Sequence, residues 1–215
     1  MKQLRTVALL LDYLDGDMAW RIKEVHQFKA AVEKAGGKNV DAHIRAGIAM
    51  LYAHWEGFVK GAANAYVNYV SYRANQNSEL RPCFVALGMK TKLATANSSS
   101  KSEIVIDAVK YLIDELNRPI RLPRSDAISA ESNLSSLVFI NIAGWIGIDP
   151  SPYSTRFPLI DGTLLDNRNR IAHGEYLNVD ADRFYELTGE VLEMLRWFKT
   201  DIENAAVQNS FLKPL

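Results

Sequence analysis

Arg168-Asn169-Arg170-Ile171-Ala172-His173-Gly174 is the stretch of this 215-residue chain whose residue types and spacing suit chemistry. On a helix, Asn169 and His173 stand four residues apart and share a face. Arg168 lies five residues before His173, about 140° around the helix, a gap that an arginine stem covers. A guanidinium and an imidazole would then converge on one anionic group. Gly174 is placed to end the helix in the left-handed conformation. His173 then falls in the last turn, where the negative end of the helix dipole favours a protonated ring. An arginine that forks onto a phosphate and a histidine that moves a proton are the minimum equipment for cutting RNA without a metal, because the 2′-hydroxyl of RNA supplies the nucleophile. No serine or cysteine nucleophile and no glycine-rich phosphate loop accompanies them in this stretch. Phosphodiester transesterification therefore suits it better than acyl chemistry. The same residues also suit a plain polar helix end, since cations there offset the dipole and cap free carbonyls.

Composition narrows the rest. Lys plus Arg and Asp plus Glu number 25 each, so no global field draws nucleic acid or anionic membrane, and any RNA contact must come from a local patch. Hydrophobic content of 48% is ample for a core within one domain spanning residues 1–215. The lone cysteine, Cys83, excludes an internal disulfide framework and fits a reducing, cytoplasmic setting. His26, His43, His54 and His173 show no metal-ligand spacing, so neither a metal nor another cofactor is expected. The apolar run Thr6–Leu11 stops at Asp12, too short for a signal peptide. The window Leu137 to Ile148 is interrupted by Asn141 and too short to span a bilayer of about 30 Å. A soluble chain is expected.

Helical periodicity supplies the elements that must position the stretch. A first helix over about 4–35 is broken or bent at Asp15-Gly16-Asp17, with Trp20, Val25, Phe28 and Val32 on one face and Gly36-Gly37 as its stop. A second, over about 40–74, repeats Ile44, Ile48, Leu51, Trp55, Val59, Ala62, Tyr66 and Val70 at spacings of three and four. It is about 50 Å long and forms the spine; Gly47, Gly57 and Gly61 within it mark close helix crossing or room for a partner. The region 76–100 is an irregular connector. A Ser100/Glu103 capping box then opens a helix with the stripe Ile104, Val105, Ala108, Val109, Leu112, Ile113 and Leu116. Arg118 to Arg124 is a basic connector, either a small phosphate-facing patch or a solvated linker. A helix over about 133–147, capped by Ser132 or Asn133, buries Leu134, Leu137, Val138 and Trp145. After a proline-rich connector at 149–158, a helix over about 158–173 carries the polar stretch. A last helix over about 180–205 packs Phe184, Leu187, Val191, Leu195 and Phe198. Strand patterns are nearly absent, so the expected fold is an all-α bundle with one long spine helix and a C-terminal helix pair.

Arg168-Asn169-Arg170-Ile171-Ala172-His173, with Leu165-Asp166-Asn167 before it and Gly174-Glu175 after it, resembles the signature of HEPN domains. The spine sequence Leu51-Tyr52-Ala53-His54-Trp55-Glu56-Gly57-Phe58 and the Ser132-Asn133-Leu134 lead-in resemble the RiboL-PSP-like and toxin-like members, so the resemblance covers about residues 40–205. It implies an all-α domain that forms a homodimer with two motifs facing a shared cleft, and a metal-independent endoribonuclease of toxin–antitoxin or phage-defence systems. Arg168 would bind and orient the scissile phosphate, His173 would act as general base or acid, and Asn169 would hold the imidazole or the phosphate. The product would be a 2′,3′-cyclic phosphate. Glu56 would pair with Arg168 or orient His173, or else form a surface pair with Lys60; Arg170 and Tyr176 are further supporting candidates. In HEPN toxins silenced by nucleotidyl transfer a tyrosine lies two residues after the motif histidine, whereas Tyr176 lies three after His173. The expected partners are RNA, a second copy of the chain, and an antitoxin or neighbouring defence protein. The alternative is a non-catalytic HEPN module that binds RNA or a partner protein.

Overall fold

The computed structural model describes residues 3–35, 39–119, 121–129 and 133–214. Among the described residues seven α-helices carry the fold: α1 (Val7–Ala35), α2 (Val40–Val70), α3 (Pro82–Asn97), α4 (Ser102–Glu115), α5 (Ser136–Ile146), α6 (Asp166–Ala172) and α7 (Ala181–Val207). Among the described residues the β pairing amounts to two isolated bridges, Gln76 with Pro119 and Leu80 with Leu212. The fold is all-α, as the periodicity predicts. No helix among the described residues is long and apolar enough to cross a membrane.

Helix α2 is the spine. Its 31 residues span about 46 Å at ~1.5 Å each, ending one turn before the expected Ala74. Every member of the predicted stripe from Ile44 to Val70 is buried. Helices α1 and α7 pack against α2 and against each other, and α5 and α6 lie on α2 as well. Gly47 explains how closely α7 approaches: a Cβ there would lie 2.6 Å from the ring of Phe184. Close crossing, rather than room for a partner, is the role of Gly47. Arg21, buried on α1, donates to Asp17 and to the His54 carbonyl, tying α1 to the spine.

Several expectations are corrected. Helix α1 runs unbroken through Asp15-Gly16-Asp17, and the turn after Gly16 is braced by Asp17, which accepts from Trp20 and Arg21. Trp20 is not in the core; it is 47% exposed and meets His54 edge-on. The glycine stop at Gly36-Gly37 lies outside the described residues. The 76–100 connector contains a full helix, α3: Pro82 begins it at a position where a missing N–H costs nothing, and Gly88 sits inside it where a Cβ would come within 3.3 Å of the Arg121 carbonyl. The Ser100/Glu103 box does not form. Helix α4 starts at Ser102 after Lys101, whose backbone N–H donates to the Ser99 hydroxyl instead.

Periodicity also misplaces two apolar faces. On α4 only Ala108 and Glu115 are buried, while Val105, Ile106, Val109, Leu112 and Ile113 are exposed. An amphipathic stripe shows that a helix has an apolar side, not that the same chain covers it. On α5, Leu137 is 73% exposed, and the helix begins at Ser136 with Ser135 as its cap, accepting from the Val138 N–H. Ser132, the other expected cap, lies outside the described residues, and Asn133 is used elsewhere. In α7 the predicted core holds: Phe184, Leu187, Val191, Leu195 and Phe198 are all buried, and Asp180 caps the start.

A Gly47→Ala substitution should lower stability by about 1–3 kcal/mol, because Phe184 is itself buried and cannot retreat cheaply. Urea unfolding followed by circular dichroism measures it; an unchanged midpoint would show that α2 and α7 tolerate a wider spacing.

Candidate active site

The polar stretch does not sit on one continuous α-helix. After Pro158 the chain makes a π-helical segment, Leu159–Leu165, and only then enters α6. Leu159, Ile160 and Leu164 bury against the core while Asp161 grips the start of α5, accepting from the Ser136 N–H at 2.7 Å and its hydroxyl at 2.5 Å. Each residue added by such a widened turn rotates the helix beyond it by about 100°. This sets the direction in which Arg168 leaves α6.

The end of α6 is closed as the sequence predicts. Gly174 is left-handed at φ 76°, with its N–H on the Ile171 carbonyl and the Glu175 N–H on the Arg170 carbonyl. These are the paired bonds of a Schellman cap. His173 is the last residue before that cap; its N–H donates to the Asn169 carbonyl, and its side chain is exposed.

Arg168 is half-buried and points across the spine. Its Nη1 donates to Asn133 Oδ1 at 3.0 Å and to Asn169 Oδ1 at 2.9 Å, and its guanidinium carbon lies 5.3 Å from the centre of the Tyr52 ring. Both oxygens are neutral, and no carboxylate among the described residues ion-pairs with it. Arg168 lines a cleft of about 470 Å³ with Tyr52, Glu56 and Lys60 of α2 and Ile171 and Ala172 of α6. Tyr52 supports the cleft from below: its hydroxyl accepts from the buried Leu134 N–H at 2.7 Å and donates to Glu56. Burial first, and then the Glu56 hydrogen bond, hold its phenol far above the usual range, so it stays protonated.

The structure brings Arg168 and Glu56 to one cleft, with Asn169 bonded to Arg168, and leaves both Asn169 and His173 outside its lining. Asn169 spends its side-chain oxygen on Arg168 rather than on the imidazole. Glu56 shares the cleft with Lys60 but takes the Tyr52 hydroxyl instead of forming an i,i+4 ion pair. Arg170 turns away: its Nε donates to Glu175 and its Nη2 to the Tyr176 carbonyl, which fixes the loop after the motif. The Tyr176 side chain is exposed. Three contributors escape a reading of the sequence. Asn133 reads there as a cap and Tyr52 as part of a core helix, while Arg45, whose Nη2 donates to the Glu175 carbonyl, carries no local signal. Among the described residues no group of histidine, cysteine or carboxylate side chains is arranged to hold a metal ion.

An all-α fold built on a long spine helix is that of the HEPN class. The chain belongs to the HEPN family: the model of the MAE_28990-like HEPN family matches residues 10–211. No curated protein and no solved structure matches it.

Replacing Tyr52 with Phe removes the acceptor of the buried Leu134 N–H and should cost about 1–3 kcal/mol. Asn133→Ala should cost less stability but leave Arg168 less constrained, because one of its two oxygen partners is lost. Thermal melts of both variants check the ranking; a Tyr52→Phe protein as stable as wild type would show that water serves Leu134 equally well.

Proposed function

We propose that this chain is a metal-independent endoribonuclease. The observation that carries the reading is Arg168, a half-buried guanidinium at a cleft, held by two neutral oxygens and ion-paired with no carboxylate among the described residues. A phosphate is the anion its fork fits. In the proposed reaction the 2′-hydroxyl attacks the adjacent phosphorus, the bond to the 5′-oxygen breaks, and a 2′,3′-cyclic phosphate and a free 5′-hydroxyl result. Arg168 neutralises the charge gathering on the phosphoryl oxygens. His173 takes the proton from the 2′-hydroxyl or delivers one to the departing 5′-oxygen. Asn169 and Asn133 hold Arg168 in place.

The exposure of His173 beyond the cleft supports a site completed by the same stretch of a second copy, so that one histidine serves as base and the other as acid. We read residues 1–215 as one cytoplasmic HEPN domain, acting as a toxin or phage-defence effector restrained by an antitoxin or neighbouring protein. The other reading is a non-catalytic module that binds RNA or protein. It is favoured by the equal numbers of acidic and basic residues, 25 of each, and by the mutual engagement of Arg168 and Asn169.

Purified protein incubated with tRNA and mRNA in EDTA should cut, and Arg168→Ala and His173→Ala should each slow cutting by roughly 10²-fold or more. RNA with a 2′-deoxy sugar at the cut position should survive. Cutting that needs added metal, or that both variants retain, contradicts the proposal; tight binding without cutting of any RNA selects the non-catalytic reading. Sedimentation should give a dimer at micromolar concentration, and a monomer there would remove the shared site.

A further inference from the structure

The basic connector finds its place at the far end of the spine. Asn68, buried on α2, accepts from the Leu4 N–H at 2.9 Å and donates to the Arg124 carbonyl at 2.8 Å. One amide thereby clasps the segment leading into α1 and the connector side by side. The neighbouring arginines consequently meet: the guanidinium carbons of Arg5 and Arg124 lie 5.5 and 4.6 Å from the centre of the same ring, that of Tyr72. Arg73 lies 5.8 Å from the Tyr69 ring beside it. All three arginines are exposed, and none ion-pairs with a carboxylate among the described residues. Like charges gathered on one ring repel unless an anion comes between them. The Tyr72 hydroxyl is buried and makes no hydrogen bond among the described residues.

This cluster is joined to the cleft by the spine itself. Tyr52, Glu56, Lys60, Asn64 and Asn68 succeed one another at intervals of four along α2, and Tyr72 continues the interval in the turn just past its end. Each step advances about 40° around the axis, so the row winds from one side of the spine to the other, with Asn64 and Asn68 buried beneath the Ile128 and Arg124 carbonyls. Tyr52 and Tyr72 are twenty residues apart, about 30 Å along the axis. Lys60, exposed and without an ion pair among the described residues, stands between them. We infer that Arg5 and Arg124 on the Tyr72 ring form a second RNA-backbone site, which takes phosphates of the strand several nucleotides from the one held at Arg168. The inference rests on the proposed function for the identity of the anion. A connector that looks like a solvated linker becomes the means by which a chain of zero net charge grips a polyanion.

The test separates the two sites by length of RNA. Fluorescence anisotropy on His173→Ala protein compares single-stranded RNA of about 16 nucleotides with RNA of about four. Each is titrated between about 50 and 200 mM salt. In that background Arg5→Gln with Arg124→Gln should weaken the long RNA several-fold and lower its salt slope by about 0.7 per arginine, leaving the short RNA unchanged. The Lys substitutions at both positions should keep the slope, and they preserve the charge should the glutamine pair fold poorly. Equal losses on long and short RNA, or none on either, overturn the inference, as does binding to phosphatidylserine vesicles that the glutamine pair abolishes while RNA binding stays intact. Because binding is read without cleavage, a wild-type protein that never cuts RNA leaves this result standing.

Discussion

The constraint on which the rest depends is that one stretch of chain without regular secondary structure must satisfy its backbone against a helix. Between Arg124 and Leu134 the described residues have no helix or strand of their own, yet they lie on the spine. Asn64 answers twice, accepting from the Ile128 N–H at 3.0 Å and donating to its carbonyl at 2.9 Å. Asn68 takes the Arg124 carbonyl and Tyr52 the Leu134 N–H. Polar side chains on a helix otherwise buried thus stand in for a neighbouring strand. Without them the segment would carry unpaired buried amides, and Asn133 would not be held where Arg168 reaches it.

The candidate site inherits its stiffness from this arrangement. Arg168 extends from a short helix of seven residues, which alone would fray. It is steadied from three directions: by the Tyr52 ring of α2, by Asn133 at the end of the clasped segment, and by Asn169 on its own helix. The loop beyond is fixed by arginines, Arg45 from the spine and Arg170 from α6, both donating to backbone carbonyls. A guanidinium so placed is preorganised.

The legible part of this architecture is the part that repeats. The spine stripe from Ile44 to Val70, the α7 core and the glycine cap at Gly174 all come from spacing or from one residue's backbone preference. The hidden part depends on contacts between distant residues. Asn133 looks like a helix cap because asparagine serves both purposes, and only the fold shows Ser135 capping while Asn133 meets Arg168, thirty-five residues away. Helix α3 escapes the sequence pattern because Pro82 and Gly88 read as breakers, although one begins the helix and the other admits the connector against it. The exposed stripe of α4 reads as core because periodicity carries no information about what lies opposite.

The widened turn at Leu159–Leu165 gives the motif's orientation an all-or-none character. Side-chain substitutions can tilt a helix by small amounts, but the register of a helix changes only by whole residues. Loss of one residue from this segment would swing α6 by about 100°, carrying Arg168 away from Tyr52 and Asn133 together. The direction of the motif is therefore stored as a residue count rather than as a balance of contacts. Gradual sequence drift can polish such a setting but cannot slide it, and only an insertion or deletion can move it to its next position.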